Sequence, residues 1–265
     1  MRESLKVKVT APQYAVVSGA TFAQVDAWVG HTRRELKMDS IYPEDGTRKY
    51  PCVVWICGGA WQRMDRSAHL AYLSELARCG FVVASVEYRT SNEDIFPAQL
   101  TDVKAGIRYL KAMSERYHID TERFGVMGES AGGYLAAMAA LANDPAFDVG
   151  AFTEFSSKVQ AACPWYPPTD LTAFPYPSPV EAAASMESLL LGKNVALYQE
   201  EALKISPVSY VTKDAPPFLI IHGDNDHTVP FAQGEILHDR LEEAGADVKL
   251  LVLDGADHAD MPFFQ

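Results

Sequence analysis

Short runs of consecutive apolar residues recur along this chain, each followed by a stretch of helical periodicity, and this alternation constrains the fold more than any other feature. The clearest runs are Cys52-Val53-Val54-Trp55-Ile56-Cys57 and Phe81-Val82-Val83-Ala84-Ser85-Val86, with an amphipathic stretch from about His69 to Arg78, closed by Gly80, between them. A run apolar at every position is a strand buried on both faces, and a helix between two such runs is the crossover that parallel strands require. The pattern continues with Pro97 to Tyr117 as helix, Arg123 to Gly128 as strand, Ala131 to Ala142 as helix and Val159 to Pro164 as strand. It resumes with Pro217 to His222 as strand, Gln233 to Ala244 as helix and Asp247 to Leu253 as strand. An alternating stretch, Glu35 to Tyr42, with a turn at Pro43 to Gly46, supplies one more strand ahead of these. The expectation is an α/β fold with a mainly parallel central sheet flanked by helices on both faces.

Between Trp165 and Pro216 the rhythm breaks. This segment is rich in proline (Pro167, Pro168, Pro175, Pro177, Pro179, Pro207 and Pro216) and holds helical patterns from Val180 to Leu191 and near Ala196 to Leu203. It is too short to enclose a core of its own, so residues 165–216 are expected as a short cap or lid on one domain spanning 1–265.

A chain of 265 residues with 48% hydrophobic side chains suits one domain of this size. The formal charge of −12 is spread over short mixed clusters, which describes a solvated surface and makes nucleic acid an unexpected partner. Met1 to Thr10 has no uninterrupted apolar core and no small-residue cleavage site. The apolar runs are also far short of the roughly 20 residues a membrane helix needs. A soluble, cytoplasmic protein with no membrane partner is the expectation, and self-association into a homo-oligomer is compatible with it. Cys52, Cys57, Cys79 and Cys163 show no CxxC spacing and are expected as reduced, structural thiols without zinc.

The chemistry concentrates in three places. Gly128-Glu129-Ser130-Ala131-Gly132-Gly133 follows a predicted strand and opens an alanine-rich helix, the context in which a sharp turn exposes a serine hydroxyl above a sheet. A serine capping that helix is the plainer reading, but it explains neither the flanking glycines nor the aspartate and histidine motifs later in the chain. Serine is a poor nucleophile at neutral pH and needs a histidine base with an acid to orient it. Asp226, in the loop His222-Gly223-Asp224-Asn225-Asp226-His227, and His258, in Gly255-Ala256-Asp257-His258, each follow a predicted strand and complete the order Ser, Asp, His. Asp224 is the competing acid, more readily assigned to bracing the loop. His222 and His227 are expected to be structural. Asp224, Asp226 and His227 resemble a ligand cluster, yet no second cluster completes a metal site.

The third place is Gly58-Gly59-Ala60-Trp61, small residues after a strand, whose backbone amides can join that of Ala131 to hold an oxyanion. Trp61, Trp165 and Tyr166 are candidate walls of a shallow acyl site, with core packing as the alternative for Trp165.

On these motifs, together with Glu87-Tyr88-Arg89 and Phe96-Pro97-Ala98 with Asp102, the chain from about Glu35 resembles the hormone-sensitive-lipase-like and acetyl-esterase branch of the α/β-hydrolases, including small bacterial carbohydrate esterases. Cys57 stands where that family has histidine and Ala60 at its last glycine, which keeps the amide and removes an imidazole from the loop. The terminal tryptophan also resembles the pattern of arylformamidases. The resemblance implies a cofactor-free acyl transfer from a small-molecule ester, with Ser130, Asp226 and His258 as triad and short acyl groups, acetyl above all, preferred. A formamidase with the same triad and a non-catalytic binding protein of the same fold remain as alternatives.

Overall fold

A computed structural model describes residues 2–9, 12–46 and 48–265; Met1 and Thr10, which bound the segment inspected for an export signal, lie outside them. The chain opens with a long hairpin, β1 (Gln13–Ala27) and β2 (Thr32–Glu44), and proceeds through β3 (Tyr50–Ile56), α1 (Leu70–Arg78), β4 (Val82–Val86) and α2 (Ala98–Ala112). Next come β5 (Ile119–Glu129), α3 (Ala131–Leu141) and β6 (Ala161–Trp165), then three short helices, α4 (Pro179–Ala183), α5 (Met186–Leu191) and α6 (Gln199–Lys204). The chain finishes with β7 (Phe218–Gly223), α7 (Ala232–Glu243) and β8 (Val248–Leu253).

The eight strands form one sheet in the order β1-β2-β4-β3-β5-β6-β7-β8. β1 pairs with β2 and β2 with β4 antiparallel, and every pairing from β4 to β8 is parallel. The chain leaves β3 toward β4 on one side and leaves β5 toward β6 on the other. Loops that diverge from neighbouring strand ends open a crevice between them, and ligands of open α/β sheets bind in such crevices.

Strand alternation sorts the core into two layers. Val54, Ile56, Val82, Ala84, Phe124 and Val126 point to the side of α2, α3 and α7, where they meet Leu100, Leu135 and Leu237. Trp55 and Val83 point the other way, onto Leu73 and Ala77 of α1. Each fully buried valine, leucine, isoleucine or phenylalanine among them contributes roughly 1.5–3 kcal/mol. Helix α3 is buried along its whole length, which is why its sequence is alanine, leucine, glycine and methionine with a single tyrosine and no polar face.

One strand was not predicted and two predicted elements differ. β1 carries no apolar run because it is an edge strand whose alternation is broken by register shifts between Val17 and Ala20 and between Thr21 and Ala23. The helix expected over Val180 to Leu191 is two helices, since the Ser185 side chain accepts from the Ser188 amide and restarts the backbone as a new N-cap. The helix expected to Tyr117 ends at Ala112, and the chain turns through His118, at φ 55°, to begin β5 early at Ile119.

The segment 165–216 packs into the main core: Leu171, Ala182, Leu190, Val195, Ala202, Ile205 and Val208 belong to the same buried cluster as the sheet. Tyr134 of α3 donates to the Ile205 carbonyl at 2.6 Å, and Phe96 N donates to the Leu190 carbonyl at 2.9 Å. Among the described residues, no helix is long and apolar enough to cross a membrane.

Candidate active site

Ser130 sits in the turn between β5 and α3 with φ 53° and ψ −120°, a conformation an L-residue adopts only when its surroundings impose it. The crowding is visible on both sides. A Cβ at Gly128 would lie 2.4 Å from the Gly132 carbonyl oxygen, and one at Gly132 would lie 2.0 Å from that of Ile56, so both positions must be glycine. The turn is pinned to the neighbouring strand by Ser130 N donating to the Trp165 carbonyl at 3.0 Å.

β7 and β8 bring the other two residues to the same edge. His258 Nε2 lies 3.0 Å from Ser130 Oγ, and its Nδ1 lies 2.8 Å from Asp226 Oδ2. The Asp226 carboxylate is fully buried and accepts the Thr228 and Val229 amides at 2.8 Å each through Oδ1. His222 Nε2 is 3.4 Å from Oδ2 while hydrogen-bonded to the Val229 carbonyl at 3.0 Å. Burial alone would raise this carboxyl, but the bonds from His222 and His258, the His258 charge and the Val229 amide together hold it well below the usual carboxylate range. Asp226 therefore stays ionised beside His258.

The competing aspartates have other partners. Asp224 Oδ1 accepts the Gly255 amide at 2.7 Å, tying the loop after β7 to the loop after β8. Asp257 accepts the amides of His258, at 2.7 Å, and His227, at 3.0 Å, which fixes the backbone that carries the histidine.

The loop after β3 runs beside this serine through the left-handed region at Gly59 (φ 121°), Ala60 (φ 56°) and Trp61 (φ 57°). Among the described residues the amides of Gly59 and Ala60 have no hydrogen-bond acceptor, which leaves them open to a ligand. Gly58, expected among the oxyanion donors, is corrected: its amide donates to Glu129 Oε1 at 3.3 Å, so the loop's available donors are Gly59 and Ala60, with Ala131 at the start of α3. The loop is anchored from below by Tyr88, whose hydroxyl donates to the Cys57 carbonyl at 2.8 Å. Arg89 in turn grips Asp102 of α2 with two bonds of 2.9 Å.

The three aromatic walls also need correcting. Trp61 is 1% exposed and packs edge-on against Tyr134 at 5.1 Å, inside the core. The Trp165 indole points to the α1 side of the sheet, against Trp55, Phe263 and Phe264. Tyr166 has no exposed surface; its ring meets the His258 ring edge-on at 4.5 Å and packs against it. Trp61 and Tyr166 are enclosed, and Trp165 faces the cavity on the α1 side of the sheet, so none of the three is placed as a wall beside Ser130. Cavities of about 600, 420 and 290 Å³ exist elsewhere on the molecule, the second at the opposite, N-terminal ends of the strands, and none of the three is lined by Ser130 or His258.

A polar cluster that no sequence motif signalled lies under the oxyanion loop. Cys57 Sγ, a His69 ring nitrogen and a Glu129 oxygen all lie within 4.8 Å of one another, a donor set of the kind that can hold a divalent cation. Here both carboxylate oxygens are already occupied by protein donors: Oε1 by His69 Nε2 at 2.9 Å and the Gly58 amide, Oε2 by the Tyr166 hydroxyl at 2.7 Å. Cys57 and Glu129 raise His69 to about 9 against the opposing effect of burial. Burial raises Glu129, yet His69 and Tyr166 together bring it below its ordinary value. Glu129 is the variable letter inside the GxSxG pattern, and a charged residue between an apolar strand and a buried helix was the one signal that could have marked it. His69 carried none.

A strained serine at the β5–α3 turn, bonded through a histidine to a buried aspartate at the C-terminal edge of a mostly parallel eight-stranded sheet, defines an α/β-hydrolase. Within that class the chain belongs to the BD-FAE family, whose model matches residues 38–241. It is 35% identical to esterase LipQ of Mycobacterium tuberculosis over 80% of this chain and 51% of that protein. The chain spans about half the length of the curated relatives it matches. Among solved structures it resembles a truncated form of a carbohydrate esterase from gut microbiota, with TM-score 0.82, 29% identity and coverage of 96% of this chain and 95% of that one. It also resembles a bifunctional GH43-CE protein of Bacteroides eggerthii, with TM-score 0.83, 30% identity and coverage of 94% of this chain and 33% of that one.

Proposed function

We propose that this chain is a serine carboxylesterase that removes short acyl groups, acetyl foremost, from small-molecule or sugar esters. The observation that carries the reading is His258 bridging Ser130 Oγ and Asp226 Oδ2 at 3.0 and 2.8 Å. Ser130 Oγ attacks the ester carbonyl as its proton passes to His258 Nε2, and Asp226 stabilises the resulting imidazolium. The amides of Gly59, Ala60 and Ala131 take the negative charge on the carbonyl oxygen, a contribution of about 2.7–4 kcal/mol per donor in well-formed sites. His258 returns the proton to the departing alcohol, leaving an acyl group on Ser130. Water, deprotonated by His258, then releases the carboxylic acid and restores the hydroxyl. No cofactor enters this scheme.

The sugar part of the reading is supported by likeness to a protein described as a carbohydrate esterase. The test is a panel of acetylated sugars, feruloyl esters, nitrophenyl esters and N-formylkynurenine, run with the parent chain and Ser130→Ala. Hydrolysis of acetyl esters that disappears in the variant is expected. Turnover of the formyl amide without ester hydrolysis would shift the assignment to an arylformamidase, and no turnover of any substrate, with no labelling of Ser130 by a fluorophosphonate, would leave a binding protein.

A further inference from the structure

Glu129 is 8% exposed and stands one residue before the serine, yet it keeps its charge. A buried carboxylate costs several kcal/mol unless it is paired and fully hydrogen-bonded, and an apolar side chain would fill the same space more cheaply. Its partners show what the charge holds. Through Oε1 it takes the amide of Gly58, at the root of the loop that presents Gly59 and Ala60. Through Oε2 it takes the Tyr166 hydroxyl, and the Tyr166 ring braces His258. One side chain thus reaches both the oxyanion donors and the base.

A carboxylate beside the nucleophile also opposes negative charge developing on the substrate oxygen. His69 offsets it: the ring nitrogen lies 2.9 Å from Oε1, with Cys57 Sγ 3.8 Å from the same oxygen. His69 comes from the start of α1 and is itself packed between Trp55 and Phe264. The titratable groups that face it are Glu129 from β5, Cys57 from the loop after β3 and Tyr72 from its own helix, with Glu75 and Cys79 further along the same cavity.

We propose that Glu129 is a positioning residue for the ester hydrolysis proposed above, one carboxylate that sets the oxyanion loop and the triad histidine together, with His69, 2.9 Å away, as its dedicated partner. The inference rests on that esterase reading.

The experiment is steady-state kinetics on nitrophenyl acetate across pH 6–10 for the parent, Glu129→Gln, His69→Gln, the double variant and Tyr166→Phe, with melting temperature and fluorophosphonate labelling measured on each. Glu129→Gln is expected to lower kcat about 10- to 100-fold with KM changed less than about threefold, the size of loss that misplaced catalytic groups produce. His69→Gln should lose at least as much, because it strands a buried charge, and the double variant should recover to the Glu129→Gln level. The parent's kcat should fall above about pH 9, and this limb should vanish in Glu129→Gln. If Glu129→Gln fails to fold, Tyr166→Phe decides: it removes one hydrogen bond and should lower kcat several-fold while the chain stays folded, with melting lowered by several degrees. Full kcat at every pH in a folded Glu129→Gln or in Tyr166→Phe overturns the proposal. A parent chain that is neither labelled nor active overturns the esterase reading instead.

Discussion

Asp226 and His222 stand four residues apart with both side chains fully buried and 3.4 Å between Oδ2 and Nε2, so the carboxylate bonded to His258 is itself met by a second histidine. His222 Nε2 also bonds the Val229 carbonyl, which makes it the protonated nitrogen, and Nδ1 is buried without a partner. The loop His222 to Val229 therefore closes on its own carboxylate before His258 arrives. Such preorganisation keeps the histidine in the orientation that proton transfer needs.

This arrangement separates the two aspartates. Asp226→Asn keeps the shape but replaces an acceptor with a donor toward His258 Nδ1, and kcat should fall by about 10⁴-fold through the wrong tautomer and a lost imidazolium partner. Asp224→Asn keeps an oxygen for the Gly255 amide and should change kcat less than about threefold, with melting shifted by a loss of up to about 1 kcal/mol. Kinetics and thermal melts on both variants check this; a greater activity loss at position 224 would reverse the assignment.

Ser130→Ala should abolish turnover, by about 10³- to 10⁶-fold, while the fold survives. Among the described residues the hydroxyl's one partner is His258, and the turn's strain is held by backbone contacts of Gly128, Gly132 and Trp165. Removing Oγ relaxes nothing that holds the sheet, so melting temperature should stay within a few degrees. His258→Ala should be nearly as severe, and the double variant no worse than either alone, since the members act as a unit.

Most of the sheet was legible because β3 to β7 lie in its interior, where burial writes itself as apolar runs, and β8, the far edge, still carries the run Leu250-Leu251-Val252-Leu253. β1 escaped because an edge strand with bulges has neither a run nor a clean alternation. The meeting of Ser130, His258 and Asp226 was legible for a different reason: each stands in the loop that leaves a strand, and the turn at Ser130 demands glycines that can be read one by one. What could not be read was which way side chains point after the strand ends. Trp165 is the last residue of β6 and faces the α1 layer, whereas Tyr166, one residue on, turns under His258. A one-residue step reverses the face, and outside regular structure no periodicity records the change. Glu129 and His69 were invisible for a related reason, since their pairing joins residues 60 apart across two elements.

The His69–Glu129 pair also sets a stability window. His69 has a folded value of about 9, above its unfolded value near 6.5, so folding favours the protonated ring. The contribution is complete below about pH 6.5, where both states are protonated, and it decays as pH rises through 9. Melting temperature should therefore decline between pH 7 and 10 more steeply in the parent than in His69→Gln. Parallel melting curves for the two would show that His69 is uncharged in the folded chain.

Acyl-chain preference follows from how the aromatics are used. A pocket for long chains needs exposed apolar surface next to the serine, and each methylene buried there gains about 0.8 kcal/mol. Trp61 and Tyr166 instead spend their surfaces on Tyr134, His258 and Phe263, and Trp165 faces the other layer of the sheet. The apolar cavity of about 420 Å³ begins at Pro51, Phe81 and Pro217, the strand ends farthest from Ser130, and cannot receive an acyl group bound there. With little surface to cover the added carbons, kcat/KM should gain almost nothing beyond butyrate and fall once the chain projects into water or meets segment 165–216. Measuring kcat/KM for nitrophenyl esters from acetate to laurate checks this. The expected maximum lies between acetate and butyrate, with at least about tenfold loss by octanoate, whereas a rise of about fourfold per methylene up to octanoate would reveal a deep acyl channel and exclude the shallow site argued from Trp61, Trp165 and Tyr166.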